Sequence, residues 1–381
     1  MRTIAIIGAG PAGIEAASVL SAMENTEVLL FEKSASTMDN LRDKAFLFPD
    51  FSSAADLVEI MESKLDRENI KLHLDTEIVS VASTGSATAT GSATDGATDL
   101  ATGMKDSAIG DKKDIMVEES GEVSGAVGIM TWELLDASGT CYTADAVLVS
   151  TGYKVFDATR KEELGYGIYP GVITSIDLEK KLKEGKILNA VGDVPKKVVF
   201  LQCVGSRDEK SGNHYCSKVC CVTAVKQAIE LRKLLPEVEA YVFYMDLRMW
   251  GGGFEEMYRE AQEKYDVRFV RGRISEAAST FDGKIQIKSE DTLVGLPLKM
   301  SADLLVLMVG MEPSEGTKKL TSQCGCADAY GFATTMNPHL RDNETAQPGL
   351  YVAGSCKRPM SINDSLNDAR SAALKIAEYL R

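Results

Sequence analysis

The chain has 381 residues, a formal net charge of −14 at pH 7 and 44% hydrophobic residues. This composition is typical of a soluble globular protein with room for two or three domains. The acidic balance argues against a nucleic-acid-binding protein, which needs clustered Lys and Arg to neutralise phosphates. No apolar run is long enough to span a bilayer, and Met1–Ile7 is too short for a secretory signal, so we expect a cytoplasmic location without membrane insertion.

The first elements are a strand, a glycine loop, a helix and a second strand. Thr3–Ile7 is apolar, the loop runs from Gly8 to Gly13, and the helix is predicted from Pro11 to about Ala22. The second strand, Glu27–Glu32, ends in an acidic residue. This order is typical of the phosphate-binding start of a dinucleotide-binding domain.

Each glycine of the loop has a separate physical role. Gly8 allows the tight turn, Gly10 lets the backbone approach a pyrophosphate, and Gly13 permits close packing of helix on strand. The phosphates then lie at a helix N-terminus, where free N–H groups favour negative charge. Glu32 is expected to bind a ribose hydroxyl. The predicted cofactor-binding residues of this segment are Gly8, Gly10, Pro11, Ala12, Gly13, Glu32 and Lys33.

The next part of the chain changes composition. A helix is predicted from Asp50 to about Glu68, followed by short strands near Ile70–Leu74 and Glu77–Val81. Residues 82–127 begin with a run rich in Ser, Thr, Ala and Gly and hold few large apolar residues. We interpret them as a flexible insertion between strands that carries no chemistry.

The remaining segments alternate between strands and helices, which predicts an α/β chain with parallel sheets. The pattern restarts near residue 197, as if a second nucleotide-domain-like unit were inserted into the first. We therefore predict one dinucleotide-binding domain from residues 1–160 and 295–381, and an inserted domain from 161–294. The predicted strands are Ile129–Leu135, Ala146–Ser150, Lys197–Gln202, Ala240–Met245, Val267–Val270, Lys284–Ser289, Leu304–Val309 and Leu350–Ala353, and the helices are one ending near Leu235, Phe254–Lys264 and Ile362–Leu380.

Two later segments favour FAD over NAD as the ligand of the glycine loop. A buried strand ends in Thr151 and Gly152, as in flavoproteins with two dinucleotide-binding domains. The segment ending at Gly354 resembles the one that closes the FAD site in the same superfamily. The last helix, with Asp364 and Ser365 in its first turn, is expected to direct its N-terminus at the flavin ring and stabilise negative charge there.

Four of the eight cysteines fall within a short stretch. Cys203 is predicted to end a strand, and Cys216, Cys220 and Cys221 to begin the next helix, with Cys216 and Cys220 one turn apart on a shared face. Three interpretations compete: inert buried thiols, a redox disulfide or structural zinc, and an iron–sulfur cluster. Four thiols this close, in a chain of this class, favour the cluster.

The strand before Cys203 is not followed by the glycine loop that a second nucleotide-binding unit would need. In flavoenzymes that use pyridine nucleotides, the second unit opens with its own glycine loop. Here the strand ending at Gln202 runs into Cys203 and Val204, and no second G-x-G-x-x-G follows. NAD(P)H would therefore lack its usual pyrophosphate cradle, and cysteines occupy its place.

These segments resemble the flavin-containing A-type subunit of heterodisulfide reductase, over most of the chain beyond residue 145. The resemblance is carried by Gln202–Asp208, Tyr215–Cys221, Ala224–Ala228, Tyr244–Arg248, Val267–Arg273, Tyr169–Ser175, and the C-terminal Cys356, Pro359, Ile362, Asp364 and Ser365. It implies a thioredoxin-reductase-like fold that holds FAD and a nearby 4Fe–4S cluster on Cys203, Cys216, Cys220 and Cys221. It also places Lys226 close to flavin N5, where a cation stabilises the anionic reduced ring.

The resemblance further implies an electron-transfer subunit that works with the other subunits of a larger complex and forms a homodimer. The ferredoxin modules of the long family members do not occur in this sequence, so it is similar to the short form found in complexes of sulfur metabolism. Two other functions stay open: an NAD(P)H-dependent disulfide reductase of the thioredoxin-reductase type, and a zinc-stabilised flavin-binding scaffold.

Four cysteines remain outside this group. Cys324 and Cys326 form a C-x-C pair that seldom closes a relaxed disulfide, so loop cysteines without a role are favoured over a redox pair. Cys356 matches a family position near the flavin, or is a packed thiol under the last helix. Cys141 has no informative context.

Overall fold

The computed structural model describes residues 1–84 and 129–381. The predicted insertion, apart from its first residues, therefore lies outside the described residues. In chain order the strands are β1 (Arg2–Ile7), β2 (Thr26–Phe31), β3 (Ile70–His73), β4 (Ile78–Ser83), β5 (Trp132–Asp136), β6 (Cys141–Ala144), β7 (Ala146–Val149), β8 (Tyr153–Val155), β9 (Val172–Thr174), β10 (Lys197–Val204), β11 (Glu239–Tyr244), β12 (Arg268–Arg271), β13 (Glu276–Ser279), β14 (Ile285–Asp291), β15 (Leu296–Ala302), β16 (Leu304–Val309), β17 (Met311–Pro313) and β18 (Leu350–Val352). The helices are α1 (Pro11–Leu20), α2 (Asp39–Arg42), α3 (Ala54–Ser63), α4 (Ser175–Glu184), α5 (Cys220–Leu234), α6 (Phe254–Glu263), α7 (Glu315–Gln323) and α8 (Ile362–Tyr379).

The first sheet is parallel and has the strand order β18-β7-β1-β2-β3. Its central strand β1 is apolar on both faces, as a strand covered on both sides must be. One face packs against α1, α3 and α8 through a core that includes Ile4, Ile6 and Ile14. The other face is covered by the antiparallel sheet β4-β5-β6, whose Trp132 is 1% exposed.

The second sheet repeats this plan with the order β12-β11-β10-β16-β9, again parallel. Helices α4, α5 and α6 cover one face through residues such as Leu178, Ile229 and Met257. The antiparallel sheet β13-β14-β15 covers the other face, with Ile285 and Ile287 buried against it. Strand β10 therefore holds in the second sheet the place that β1 holds in the first.

The second sheet continues beyond the predicted domain boundary. Residue 294 falls in the turn between β14 and β15, and β16 pairs in parallel with β10 and β9. The sequence could not assign β16 to a sheet because a wholly apolar strand fits the centre of either parallel sheet. After β16 the chain returns towards the first sheet through β17. This strand pairs with β8, and Met311 lies opposite Val155.

The predicted and observed elements agree along most of the chain, and the clearest difference is the start of α3. The helix predicted from Asp50 begins at Ala54, because Ser53 caps it by accepting a hydrogen bond from the Asp56 N–H at 3.1 Å. Just before the cap, Phe51 has a φ of +57°, which a right-handed helix excludes. Within the described parts of the chain, no helix has the length and apolarity to cross a membrane.

Candidate functional site

The glycine loop joins β1 to α1 and is closed by tight backbone contacts. A Cβ on Gly13 would lie 1.9 Å from the Gly8 carbonyl oxygen, and one on Gly8, where φ is +106°, would lie 2.5 Å from the Ser150 carbonyl oxygen. Neither position accepts a side chain. Gly10 differs, because a Cβ there would meet nothing within 4 Å. The first and third glycines thus serve packing, and the second faces open space.

The N-terminus of α1 has the features of a phosphate site. Its N-cap residue, Gly10, supplies no side-chain hydrogen bond, and Pro11 occupies the first turn without needing a partner for an N–H. The N–H groups of Ala12 and Gly13 therefore belong to the uncapped start of a helix, where the dipole favours an anion. Open space over Gly10 and uncapped N–H groups fit the pyrophosphate of a dinucleotide such as FAD.

Glu32 and Lys33 lie immediately after β2. The Glu32 carboxylate accepts hydrogen bonds from the N–H of Ala9 at 2.8 Å and of Ser34 at 3.1 Å. It therefore lies against the glycine loop, at the end of the strand beside it. Lys33 is exposed. The predicted roles of both residues in cofactor binding stay predictions.

The Thr151–Gly152 turn is fixed to the start of α7. The hydroxyls of Thr151 and Thr317 are 2.7 Å apart, and the Ser314 hydroxyl donates to the Thr151 carbonyl at 2.9 Å. Gly354, with a φ of +76°, comes so close to the glycine loop that a Cβ there would be 2.8 Å from the Ala12 Cβ. The segments predicted to bind FAD are therefore neighbours at the carboxyl edge of the first sheet.

The N-terminus of α8 connects this edge to the cysteine loop. Ser361 and Asp364 form a capping box, and the Ser365 hydroxyl donates to the Ser361 carbonyl at 2.9 Å. The Lys218 ammonium reaches the Asp364 carboxylate at 2.7 Å and stands 4.5 Å over the Trp250 ring. These three side chains line an open depression of about 450 Å³.

Three of the four predicted metal ligands are buried together at the carboxyl end of β10. Cys203 lies in a bulge of β10 and has a φ of +60°. Cys220 and Cys221 are the first residues of α5. The prediction that Cys216 lies one helical turn before Cys220 is wrong, because Lys218 has a φ of +61° and the helix begins only at Cys220. Cys216 therefore lies in the loop before the helix.

The thiols form a polar site within an apolar core. Contact with the Cys220 thiol, together with the charge of Arg207, lowers the pKa of Cys203 to about 7 although burial opposes this. The same thiol lowers the pKa of Cys221, whereas contact with both neighbours and burial raise the pKa of Cys220 itself. Thiolate character, which any iron or zinc ligand requires, is thus favoured at Cys203 and Cys221 and disfavoured at Cys220.

Backbone amides support two of the sulfur atoms. The N–H of Lys218 donates to the Cys216 sulfur at 3.3 Å, and the N–H of Arg248 donates to the Cys221 sulfur at 3.4 Å. Arg207 adds positive charge, which stabilises the thiolates, and it pairs with Asp246 through two hydrogen bonds. Hydrogen bonds to cluster sulfurs and nearby charge are the usual means of tuning an iron–sulfur potential.

The loop between Cys203 and Cys216 is held in place by buried contacts. Asp208 is 3% exposed, accepts from Lys161 Nζ at 2.8 Å, and pairs with Arg273 at 3.1 Å. The Asn213 amide donates to the Gly205 carbonyl at 3.0 Å and to the Glu312 carboxylate at 2.8 Å. These long-range partners fix the loop, and the local composition of the loop does not reveal them.

Two polar groups beside the cysteines fit an anionic cofactor. Gln202 Nε2 and the Ser206 hydroxyl are both buried, and neither has a hydrogen-bond partner among the described residues. Buried donors are rarely left unpaired in native proteins, so each indicates an acceptor that the protein itself does not supply. Sequence reasoning missed both residues, although polar residues flanking a cysteine at the end of an apolar strand were a usable signal.

In residues 1–84 and 129–381, no group of three or more His, Cys, Asp or Glu side chains is close enough to hold a single metal ion. The choice between a cluster and a structural zinc therefore stays a prediction.

Lys226 projects from α5 into a buried polar cluster. Its ammonium donates to the Phe46 carbonyl at 2.8 Å and pairs with Glu179 at 2.5 Å and Glu230 at 3.3 Å. Phe46 belongs to the connection between α2 and α3, so Lys226 links the helices of the second sheet to the first unit. Its predicted place beside flavin N5 stays a prediction.

The other cysteines show no site of their own. Burial raises the pKa of Cys324 and of Cys356 to about 12 and also raises that of Cys326, so these thiols are protonated near neutrality. Cys356 donates to the Val149 carbonyl at 3.2 Å. Cys141 is exposed, and none of the cysteines in the described chain forms a disulfide.

Comparison with known proteins supports the resemblance seen in the sequence. The family model described as pyridine nucleotide-disulphide oxidoreductase matches residues 3–94. The A-type subunit of the H(2):CoB-CoM heterodisulfide,ferredoxin reductase of Methanothermobacter thermautotrophicus is 40% identical over 238 residues, which are 61% of this chain and 36% of that protein. The A-type iron-sulfur subunit of the CoB--CoM heterodisulfide reductase of Methanocaldococcus jannaschii is 39% identical over 241 residues, again 61% of this chain and 36% of the relative.

The predicted resemblance to the A-type subunit of heterodisulfide reductase is therefore confirmed over about 60% of the chain. The match spans little more than a third of the length of these relatives. Among solved structures, thioredoxin reductase of Lactococcus lactis in its FR conformation has a TM-score of 0.61 at 16% identity and covers 100% of this chain and 99% of that one. Thioredoxin reductase of T. acidophilum has a TM-score of 0.59 at 16% identity, with both chains covered completely. These likenesses confirm the predicted two-domain fold.

Proposed function

We propose that this chain is an FAD- and 4Fe–4S-containing electron-transfer subunit of a heterodisulfide-reductase-like complex. The observation that carries the proposal is the position of the cysteine site. Cys203, Cys220 and Cys221 meet at the carboxyl end of β10, the strand that corresponds to β1. A second dinucleotide would need its glycine loop there.

The residues of the chain would form two sites, one for FAD and one for the cluster. The loop from Gly8 to Gly13 would hold the FAD pyrophosphate, Thr151–Gly152 and Gly354 would close the same edge, and α8 would stabilise negative charge on the ring. Cys203, Cys216, Cys220 and Cys221 would hold the cluster. FAD bound here would supply two-electron chemistry, and a cluster on these cysteines would supply one-electron transfer.

The cysteine loop and the start of α8 are linked by an ion pair. Lys218 lies between two of the cysteines and pairs with Asp364 at the start of α8, 2.7 Å away. Its charge would stabilise an anionic cluster and an anionic reduced flavin held at these two segments. We propose that the chain acts as a homodimer in the cytoplasm and exchanges electrons with the other subunits of its complex.

Anaerobic purification followed by cofactor analysis tests the proposal. We expect about one flavin and about four irons per chain, with matching sulfide. One zinc in place of iron would support a zinc-stabilised scaffold and overturn the cluster. Rapid anaerobic bleaching of the flavin by NADH or NADPH would instead support a self-contained disulfide reductase and overturn the electron-transfer role.

The partner subunits are tested separately. An affinity-tagged chain expressed in its native cells, purified without oxygen and analysed by mass spectrometry, should retain other subunits in fixed ratio. The apparent mass of the isolated chain should correspond to a dimer. Recovery of the chain alone and as a monomer would contradict the proposed assembly while leaving the cofactor content unaffected.

A further inference from the structure

Gln202 is a polar residue on a face of β10 that is otherwise apolar. Alternate positions of the strand, Val198 and Phe200, are 0% exposed and belong to the core beneath α4, α5 and α6. Gln202 continues this alternation, and its contact with Cys221 at the start of α5 places its side chain on the same face. It is 6% exposed. Burying an amide here is unfavourable unless its polar atoms form hydrogen bonds.

The amide of Gln202 contacts the sulfur of a predicted cluster ligand. Its Oε1 lies 2.8 Å from Cys221 Sγ, and a thiol at this position donates its S–H to that oxygen. The Nε2 atom is also buried, but it has no hydrogen-bond partner in residues 1–84 and 129–381. The described residues thus satisfy the acceptor of the amide and leave its N–H donors unpaired.

Ligation of iron by Cys221 would reverse what this contact requires. A cysteine that binds iron has lost its S–H proton and carries negative charge, so its sulfur accepts hydrogen bonds and donates none. A half-turn of the Gln202 amide about its last side-chain bond exchanges Oε1 and Nε2, which are nearly equal in size, and leaves the rest of the residue in place. An N–H then faces the anionic sulfur where the oxygen was.

The Cys221 sulfur has a second donor on the other side of the sequence. The backbone N–H of Arg248 donates to it at 3.4 Å. With Gln202, this sulfur would accept two hydrogen bonds, whereas the Cys216 sulfur accepts one in the described part of the chain, from the N–H of Lys218 at 3.3 Å. Negative charge on Cys221 would therefore be well supported, and one of the two donors is a side chain that can be exchanged.

We infer that Gln202 adjusts the reduction potential of the cluster by donating an N–H to the Cys221 sulfur. The inference rests on the proposed function, in which the four cysteines hold a 4Fe–4S cluster. Reduction adds one electron and hence negative charge to such a cluster, and an N–H donor stabilises the reduced form more than the oxidised form. Gln202 would thereby raise the potential without being a ligand.

A redox titration followed by EPR spectroscopy tests the inference on anaerobically purified protein. Gln202→Leu removes the amide and keeps a side chain of similar volume. We expect the ratio of reduced to oxidised cluster at a fixed potential to fall about tenfold, which is a midpoint lower by about 59 mV for one electron. Gln262→Leu, the same exchange at an exposed position on α6, is the matched control and should keep the wild-type midpoint.

A second measurement detects the hydrogen bond without a variant. Pulsed EPR of the reduced wild-type cluster should show a weak coupling to a side-chain amide nitrogen, which changes when glutamine is isotope-labelled in its side-chain amide. The backbone nitrogen of Arg248 does not carry this label, so its coupling stays as it is. The labelled coupling should be missing in Gln202→Leu and present in Gln262→Leu.

The outcomes separate the inference from the proposed function. Wild-type protein without iron would contradict the proposed function. Full iron content, with either an unchanged midpoint in Gln202→Leu or no coupling to the labelled amide, would overturn the role of Gln202 and leave the proposed function intact. If Gln202→Leu does not retain its iron, the labelled wild-type protein decides, because its coupling reports the hydrogen bond directly.

Discussion

The glycine loop after β1 and the cysteine loop after β10 occupy equivalent positions in two parallel sheets with the same layout. The two loops nevertheless differ in their residues. The first is short and almost without side chains, so that backbone N–H groups and open space remain over Gly10. The second is long, is anchored at Asp208, and fills the equivalent place with thiols. The parallel sheet supplies only a position, and the loop residues decide which chemistry occupies it.

The largest expected effect comes from removing a cysteine. Cys220→Ser should reduce the iron content from about four to below about one per chain and leave the flavin bound, because the glycine loop depends on other residues. Iron analysis and flavin absorbance of the same anaerobic preparation measure both. The exposed Cys141→Ser is the control and should keep its iron. Loss of flavin together with iron would show that the two loops are not independent.

The next effect concerns the glycine loop. Gly13→Ala places a Cβ 1.9 Å from the Gly8 carbonyl oxygen, so we expect a loss of about 3 kcal/mol in unfolding free energy and of most bound flavin. Gly10→Ala adds a methyl group into open space and should reduce flavin binding with little change in stability. Urea unfolding and flavin content, measured for both variants, test this difference. Equal destabilisation by both would contradict the distinct roles of the glycines.

A smaller effect is expected at the anchor of the cysteine loop. Burial raises the pKa of Asp208, but the hydrogen bond and charge of Lys161 outweigh it and hold the pKa below its usual value. The depressed pKa stabilises the fold above about pH 4, and this contribution is lost as the pH falls further. Asp208→Asn should therefore cost about 2 kcal/mol near neutrality.

The difference between Asp208→Asn and the wild type should shrink in acid, which unfolding curves at several pH values will show. Glu209→Gln, next to it at an exposed position, is the control and should cost less than about 0.5 kcal/mol. A penalty for Asp208→Asn that does not change with pH would mean that the ion pair is not its cause.

The smallest effect is expected at the link between the loops. Lys218 and Asp364 are 28% and 40% exposed as side chains, so Lys218→Gln should cost less than about 1 kcal/mol, and high salt should abolish the difference. The pKa of Asp364, which burial raises but Lys218 and Ser361 lower, should rise in this variant. A cost above this bound in thermal unfolding would show that the link contributes to the fold.

Local sequence was sufficient to predict a feature where the backbone conformation or the chemistry requires one residue type. The structure places the glycine loop between β1 and α1, Glu32 directly after β2 and Cys203 in β10, as the local pattern predicts, because glycine, carboxylate and thiol have few equivalents there. The sequence placed Cys216 in the helix because nothing in the residue type of Lys218 indicates its positive φ. The anchoring of Asp208 was missed because its partners, Lys161 and Arg273, are distant in sequence.

The sequence by itself determined that this is a two-unit α/β chain with one glycine loop after its first strand and one group of four cysteines, since periodicity and residue chemistry are local properties. Only the tertiary structure decided that β16 pairs with β10, that Lys218 reaches Asp364, and that Glu179, Lys226 and Glu230 share one buried cluster. The physical reason is that pairing and burial depend on which distant segments meet. The excess negative charge of two acids around one lysine matters only when both acids are buried, and only the structure shows that burial.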